Sequence, residues 1–155
     1  MSYAKEFDFE NYNVPNCLIN SDWEDVSWHN DVCPRWENYK LMIAVWVERM
    51  DCEQRELEDQ KQYTVCEILS HGGDDYYLAD GTLFSTEYED VLEQWLWLYY
   101  AKCQLEYASS AFCSMDEPIE ELQDGIATLL AKTDEAMDSL HDQEIHDCSP
   151  SGEPC

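Results

Sequence analysis

Near the middle of the chain the run Trp95-Leu96-Trp97-Leu98-Tyr99-Tyr100-Ala101 has no polar face. The residues around it have helical character, and the sequence predicts a central helix over 85–105. Thr86 and Glu89 have the spacing of a capping box, and Glu87, Glu89 and Asp90 place negative charge at the positive end of the helix dipole. Val91, Leu92, Trp95, Leu96, Tyr99 and Cys103 recur at helical intervals. A helix that is apolar all round is expected to be buried on several sides. Each large aromatic buries roughly 150–250 Å², so this stretch locates the core. A ligand-stacking or partner-binding role for the same aromatics is the alternative.

The other elements are arranged around that helix. Residues 1–36 read as an irregular wrapping segment, with a turn at Pro15 and Asn16 and with Trp23, Trp28 and Trp36 covering part of the core. Strands are expected over 39–48 and 63–69, joined by a mixed-charge connection. The runs 76–79 and 82–84 flank Asp80-Gly81, a strong hairpin signal. Residues 108–115 read as a linker. Asp116 then caps a second helix, with Pro118 in its first turn. Ile119, Leu122, Ile126, Leu129, Thr133, Met137 and Leu140 form its near-heptad apolar stripe, and the helix is about 24 residues or roughly 36 Å long. The stripe is expected to pack on the core, with a homodimer through this helix as the alternative. The expected fold class is α+β: a small antiparallel sheet of three to four strands packed against the central buried helix and the C-terminal amphipathic helix. Residues 1–141 are expected to form one acidic domain, and 142–155 a disordered acidic tail.

Function has to be sought in the charge. The chain carries 35 acidic residues against 8 basic ones, a net charge of −27. Disordered acidic chains are poor in aromatics, whereas this one has 6 Trp and 10 Tyr, so a folded domain with an acidic surface is expected. Self-repulsion at this charge costs stability, and solubility alone needs a net charge of only about 2–8 in magnitude. An acidic surface argues against binding to nucleic acid or to anionic lipid. Residues 1–8 have no apolar run, so no secretory signal is expected, and no run of about 18 or more apolar residues occurs, so no membrane span is expected. A cytoplasmic location follows, the host cell's cytoplasm if the gene is a phage's, with the eight cysteines as reduced thiols.

Catalytic and metal motifs are missing. His29 and Cys33, in the run Ser27-Trp28-His29-Asn30-Asp31-Val32-Cys33-Pro34, have no third ligand at a recognisable spacing and read as a loop anchored by Trp28. His71-Gly72-Gly73-Asp74-Asp75 lacks the phosphate-loop pattern, and its aspartates would repel phosphate. His141, His146 and Cys148 fall at a helix end and in the expected tail. No catalytic residue, metal or cofactor is expected, and the chain reads as a non-enzyme.

The acids are unevenly distributed. Residues 35–62 are nearly neutral, with 7 acids and 5 bases, whereas the chain from residue 63 onward has a net charge of −19. Acids three or four apart on a helix are neighbours. Glu117, Glu120, Glu121 and Asp124 make one such row, and Asp134, Glu135 and Asp138 make another. A rigid row of carboxylates offers a linear charge comparable to a phosphate strand, with its rise of about 3.4 Å per phosphate. These residues are the expected partner-binding surface. Asp74, Asp75, Glu87, Glu89, Asp90 and Glu93 extend it before and into the central helix.

In size and charge, the chain resembles the small acidic proteins of phages and plasmids that inhibit host defence by imitating DNA, the antirestriction and anti-CRISPR proteins. The resemblance lies in general character and carries no motif or residue. It implies a non-catalytic inhibitor occupying the DNA-binding site of a nuclease or its nucleoprotein complex, itself binding no nucleic acid. The alternative is an acidic chaperone or immunity protein for one basic client. The core assignment is testable at one residue. Trp95→Ala is expected to cost about 3–5 kcal/mol in urea denaturation, and an unchanged midpoint would place this side chain on the surface.

Overall fold

The chain is α+β. The computed structural model describes residues 12–55, 60–70, 76–113 and 120–147. Five strands, β1 (Glu24–Asp25), β2 (Arg35–Asn38), β3 (Ile43–Val47), β4 (Tyr63–Ser70) and β5 (Tyr76–Thr86), form one antiparallel sheet in sequence order. Two helices follow, α1 (Glu89–Cys113) and α2 (Glu120–Asp147). The chain divides into two compact units, with the boundary between Leu92 and Glu93 inside the segment expected to be one domain.

In the first unit the β-branched and aromatic strands do what their pattern requires. Trp36, Val45, Val65 and Phe84 are cross-strand partners on one face of the sheet. They are buried there with Ile43, Val47 and Tyr63. Burying a large apolar side chain is worth about 1.5–3 kcal/mol, so this row dominates the energetics of the sheet. Tyr63 is tied further by its hydroxyl, which donates to the Asn13 carbonyl at 3.2 Å and accepts from Asn13 Nδ2 at 3.1 Å. Asn38 Oδ1 accepts from the backbone N–H groups of Lys40 and Leu41, both at 3.1 Å. This builds the β2–β3 turn, in which Met42 takes a φ of 54°.

The sheet corrects several expectations. It has five strands because the stretch expected to be irregular supplies β1 and β2. Of its tryptophans, Trp36 is buried, while Trp28 is 56% exposed and packs at 4.6 Å on His29. Asp80-Gly81 does not turn. It lies within β5, where three residues, 79–81, stand opposite the single Glu67 of β4. Glycine inside a strand marks a bulge as readily as a turn, and the eight-residue β4 offers pairing to both halves of β5. Residues 71–75, which join the two strands, lie outside the described residues.

The helices depart from expectation at their ends. α1 begins at Glu89, and its expected capping box does not form. Thr86 Oγ1 accepts instead from the Tyr88 N–H at 3.0 Å. The Glu89 carboxylate leaves its own helix to accept from Asn13 Nδ2 at 3.5 Å and the Asn16 N–H at 3.4 Å. α1 then runs through 108–113, read as linker, and α2 runs through 142–147, read as tail. Once a helix is nucleated each further residue is cheap, and neither extension contains Gly or Pro to stop it.

One polar cluster fastens the first unit. The Arg55 side chain is 2% exposed, and both its terminal nitrogens donate to Glu87 at 2.8 Å, an Nη1–Oε1 and Nη2–Oε2 fork. The same guanidinium donates to the carbonyls of Arg49 at 2.7 Å, Gln60 at 2.7 Å and Met50 at 3.3 Å. Glu87 also accepts from the Gln62 N–H at 3.3 Å. These bonds hold the connection after β3 against the residues just before α1. Hydrogen bonding to Glu87 pushes the Arg55 pKa further above its ordinary value. Removing one partner of a buried pair typically costs about 3–5 kcal/mol, so Arg55→Met is expected to fall in that range. Glu87→Gln, at a side chain 28% exposed, keeps its geometry and is expected to cost about 1–2 kcal/mol. Urea denaturation of both variants checks this; equal costs would show that the three carbonyl bonds contribute nothing.

Candidate partner-binding surface

α1 and α2 form an antiparallel hairpin within the second unit. Lys102 Nζ meets Asp134 Oδ1 at 2.7 Å. Farther along, Gln123 Nε2 donates weakly to Cys113 Sγ at 3.9 Å. The two ties advance along α1 while retreating along α2, which sets the direction. The hydrogen bond to Asp134 raises the Lys102 pKa. Trp95 is buried and stacks on Tyr99 at 4.9 Å; Leu96, Ile126 and Leu140 are also buried.

The inner stripe of α2 differs from the expected one. Leu122 and Leu129 are exposed, while Gln123 and Leu130 are partly covered, so the row is Gln123, Ile126, Leu130, Thr133, Met137 and Leu140. Both rows share Ile126, Thr133, Met137 and Leu140. Leu129 and Leu130 are equally apolar, and only the facing helix decides between them.

The acids expected to bind a partner fall into three groups. Glu120, Glu121, Asp124, Glu135 and Asp138 are exposed on α2. At about 100° per residue, Glu120, Asp124, Glu135 and Asp138 share the helix face turned away from the inner row. That face is not a continuous line of charge. Ala127, Thr128 and Ala131 intervene, and Asp124 lies roughly 16 Å from Glu135 along the axis. Asp134 is exposed but bonded to Lys102. Glu87 and Glu89 are committed inside the first unit, to Arg55 and to Asn13 and Asn16. Asp90 and Glu93 are exposed in the first turns of α1. Asp74, Asp75 and Glu117 lie outside the described residues.

The bases are largely used up internally. Arg35 pairs with Glu37, Lys40 with Asp22, Arg55 and Lys61 with Glu87, and Lys102 with Asp134. Arg49 donates to the Tyr12 hydroxyl and to Gln54 Oε1. Eight bases cannot neutralise 35 carboxylates, so the surface presents anionic groups with few cations among them.

The structure also shows a surface that apolarity alone concealed. The central run is buried on one side only: Leu92, Trp95 and Leu96 are covered, but Trp97 is 67% exposed, Tyr100 46% and Tyr107 77%. These three recur at steps of three and seven, so they share one helix face, with Glu93 and Gln104 on the same line. Lys102 and Cys113, which tie α1 to α2, lie on the opposite face. Trp97 and Tyr100 meet edge to face at 6.4 Å. An exposed aromatic stripe of this kind is a candidate binding surface.

Among the described residues no group of three or more His, Cys, Asp or Glu could hold a metal ion, and no helix is long and apolar enough to cross a membrane. The six described cysteines are unbridged. Comparison with protein-family models, curated proteins and solved structures finds no match.

If the aromatic stripe is a surface rather than core, Trp97→Ala and Tyr107→Ala should each shift stability by no more than about 0.5 kcal/mol. Thermal melting of the two variants checks this, and a loss like that expected for Trp95→Ala would reassign the stripe to the core.

Proposed function

We propose that this protein is a non-catalytic inhibitor that binds a basic, DNA-handling protein in the cytoplasm and occupies its DNA-binding surface. The observation supporting this is the surplus of exposed carboxylates on a folded scaffold most of whose bases are drawn into internal pairs. A surface of Lys and Arg releases counterions when it binds such a polyanion, as it does on DNA. The two acidic knots on α2, one at Glu120, Glu121 and Asp124 and the other at Glu135 and Asp138, then meet separate basic patches, because the gap between them is too wide for adjacent phosphates.

A second reading is an acidic chaperone or immunity protein dedicated to one basic client. The exposed Trp97, Tyr100 and Tyr107 favour it, since buried aromatics anchor specific protein interfaces.

One experiment separates the readings. The full chain is immobilised, incubated with nuclease-treated lysate, and washed with duplex DNA at low salt. Inhibition by mimicry predicts that DNA displaces the captured protein. It also predicts that Glu120→Gln/Glu121→Gln/Asp124→Asn weakens capture, by a factor that shrinks as salt rises. A dedicated client predicts retention under DNA and loss in Trp97→Ala. A gel shift of duplex DNA by micromolar protein would overturn both.

A further inference from the structure

The face of the sheet opposite its core holds a second feature. Arg35, Trp46 and Thr64 are cross-strand partners there, with Ala44 and Cys66 one pair along. A cavity of about 420 Å³ opens on this face against the loop at 30–33. Exposed Asn30 and Val32 lie at its rim, and buried Cys33 and Glu48 form its floor. Glu48 is 2% exposed. Its Oε2 accepts from the Arg49 N–H at 3.4 Å, but its buried Oε1 accepts no N–H or O–H hydrogen bond from the described residues. The Cys33 thiol leans on this carboxylate. Burial and hydrogen bonding to Glu48 push its pKa up and keep it protonated, and an S–H is a weak donor.

A buried carboxylate oxygen with no stronger donor beside it than a thiol is costly, and buried polar groups in folded proteins are nearly always satisfied. The bases nearby are engaged elsewhere. Arg49 is turned to Tyr12 and Gln54, and Arg55 to Glu87. Arg35 lies over the Trp46 ring at 4.8 Å and pairs with Glu37. Among the described residues the lining includes no Lys or Arg and holds a second carboxylate, Asp31. Such a lining favours a cation over an anion. The volume lies at the small end of ligand pockets, which span about 300–1,000 Å³.

We propose that this cavity binds an organic cation, a primary ammonium on a short apolar stem, with the head group donating to Glu48 Oε1 and the stem lying along Trp46 and Val32. An ammonium is donor-only and satisfies the orphan acceptor with a charge-assisted bond. The stem belongs either to a free amine or to a lysine of a bound protein, and the latter source rests on the reading of a basic partner given above.

The test is an NMR titration of ¹⁵N-labelled full chain with n-butylammonium chloride and, separately, with neutral n-butanol. Saturable shifts at the Trp46 indole N–H and at residues 31–33, from the ammonium alone, are expected. Glu48→Gln should weaken this binding by at least about tenfold, because a charge-assisted bond is lost. Glu106→Gln, at an exposed residue of α1 outside every surface proposed above, makes the same change in net charge and should leave the binding unchanged, which separates the site from diffuse attraction to a chain of charge −27. If Glu48→Gln fails to fold, Thr64→Leu fills the cavity with Glu48 in place and should abolish the shifts. Lysine blocked at both backbone ends identifies the source: equal binding assigns the site to a protein side chain, and binding of butylammonium alone assigns it to a free amine. Non-saturable shifts, or equal affinity in Glu48→Gln, overturn the proposal. DNA displacement of a captured protein reads the outer charge instead, so the two ideas fail separately.

Discussion

The fork between Arg55 and Glu87 is the constraint on which the first unit depends. One guanidinium spends its donors on a carboxylate and three backbone carbonyls. Those partners come from the segment after β3, from Gln60 before β4, and from the residue between β5 and α1. Short-range propensity does not bring these places together. The planar guanidinium matches the carboxylate bidentately, and its further bonds to carbonyls offset part of the cost of burying the charge. It makes Glu87 a structural acid and keeps it from joining the surface charge.

The same logic extends to the other bases. Each described ion pair sets a cation against a neighbouring acid, at the surface in the case of Lys40 and Asp22, so few uncompensated cations interrupt the negative field. Repulsion within such a field favours separation of the charges. The acids of α2 do divide into two knots with alanines between them, and the exposed aromatics sit on α1, on the face turned away from its ties to α2. The acidic knots and the exposed aromatic stripe thus lie on different helices of one hairpin, although Asp90 and Glu93 add exposed charge to α1. Glu48 stands apart from both, as a buried acid with no direct ion pair among the described residues.

Much of the architecture was legible in the residues. The Ile43–Val47 and Tyr63–Ser70 strands, the helix through Trp95 and the helix through Ile126 follow from alternation, β-branching and 3.6-residue periodicity, which are local properties. The overall acidity, and its concentration after residue 63, are also properties of composition and order alone.

The tertiary structure decided whatever depends on a distant partner. Asp80-Gly81 has hairpin chemistry, yet β4 pairs on both sides of it and makes it a bulge. Trp97 is as apolar as Trp95, and only the position of the neighbouring elements leaves one exposed and the other covered. Leu129 and Leu130 were equivalent until α1 lay against one of them. Glu87, Glu89 and Glu48 are indistinguishable in composition from the surface acids. They were separated from those acids by Arg55, by Asn13 and Asn16, and by an orphan oxygen at the floor of a cavity. Periodicity specifies a residue's direction relative to its own element, whereas burial and pairing depend on what the rest of the chain places opposite it.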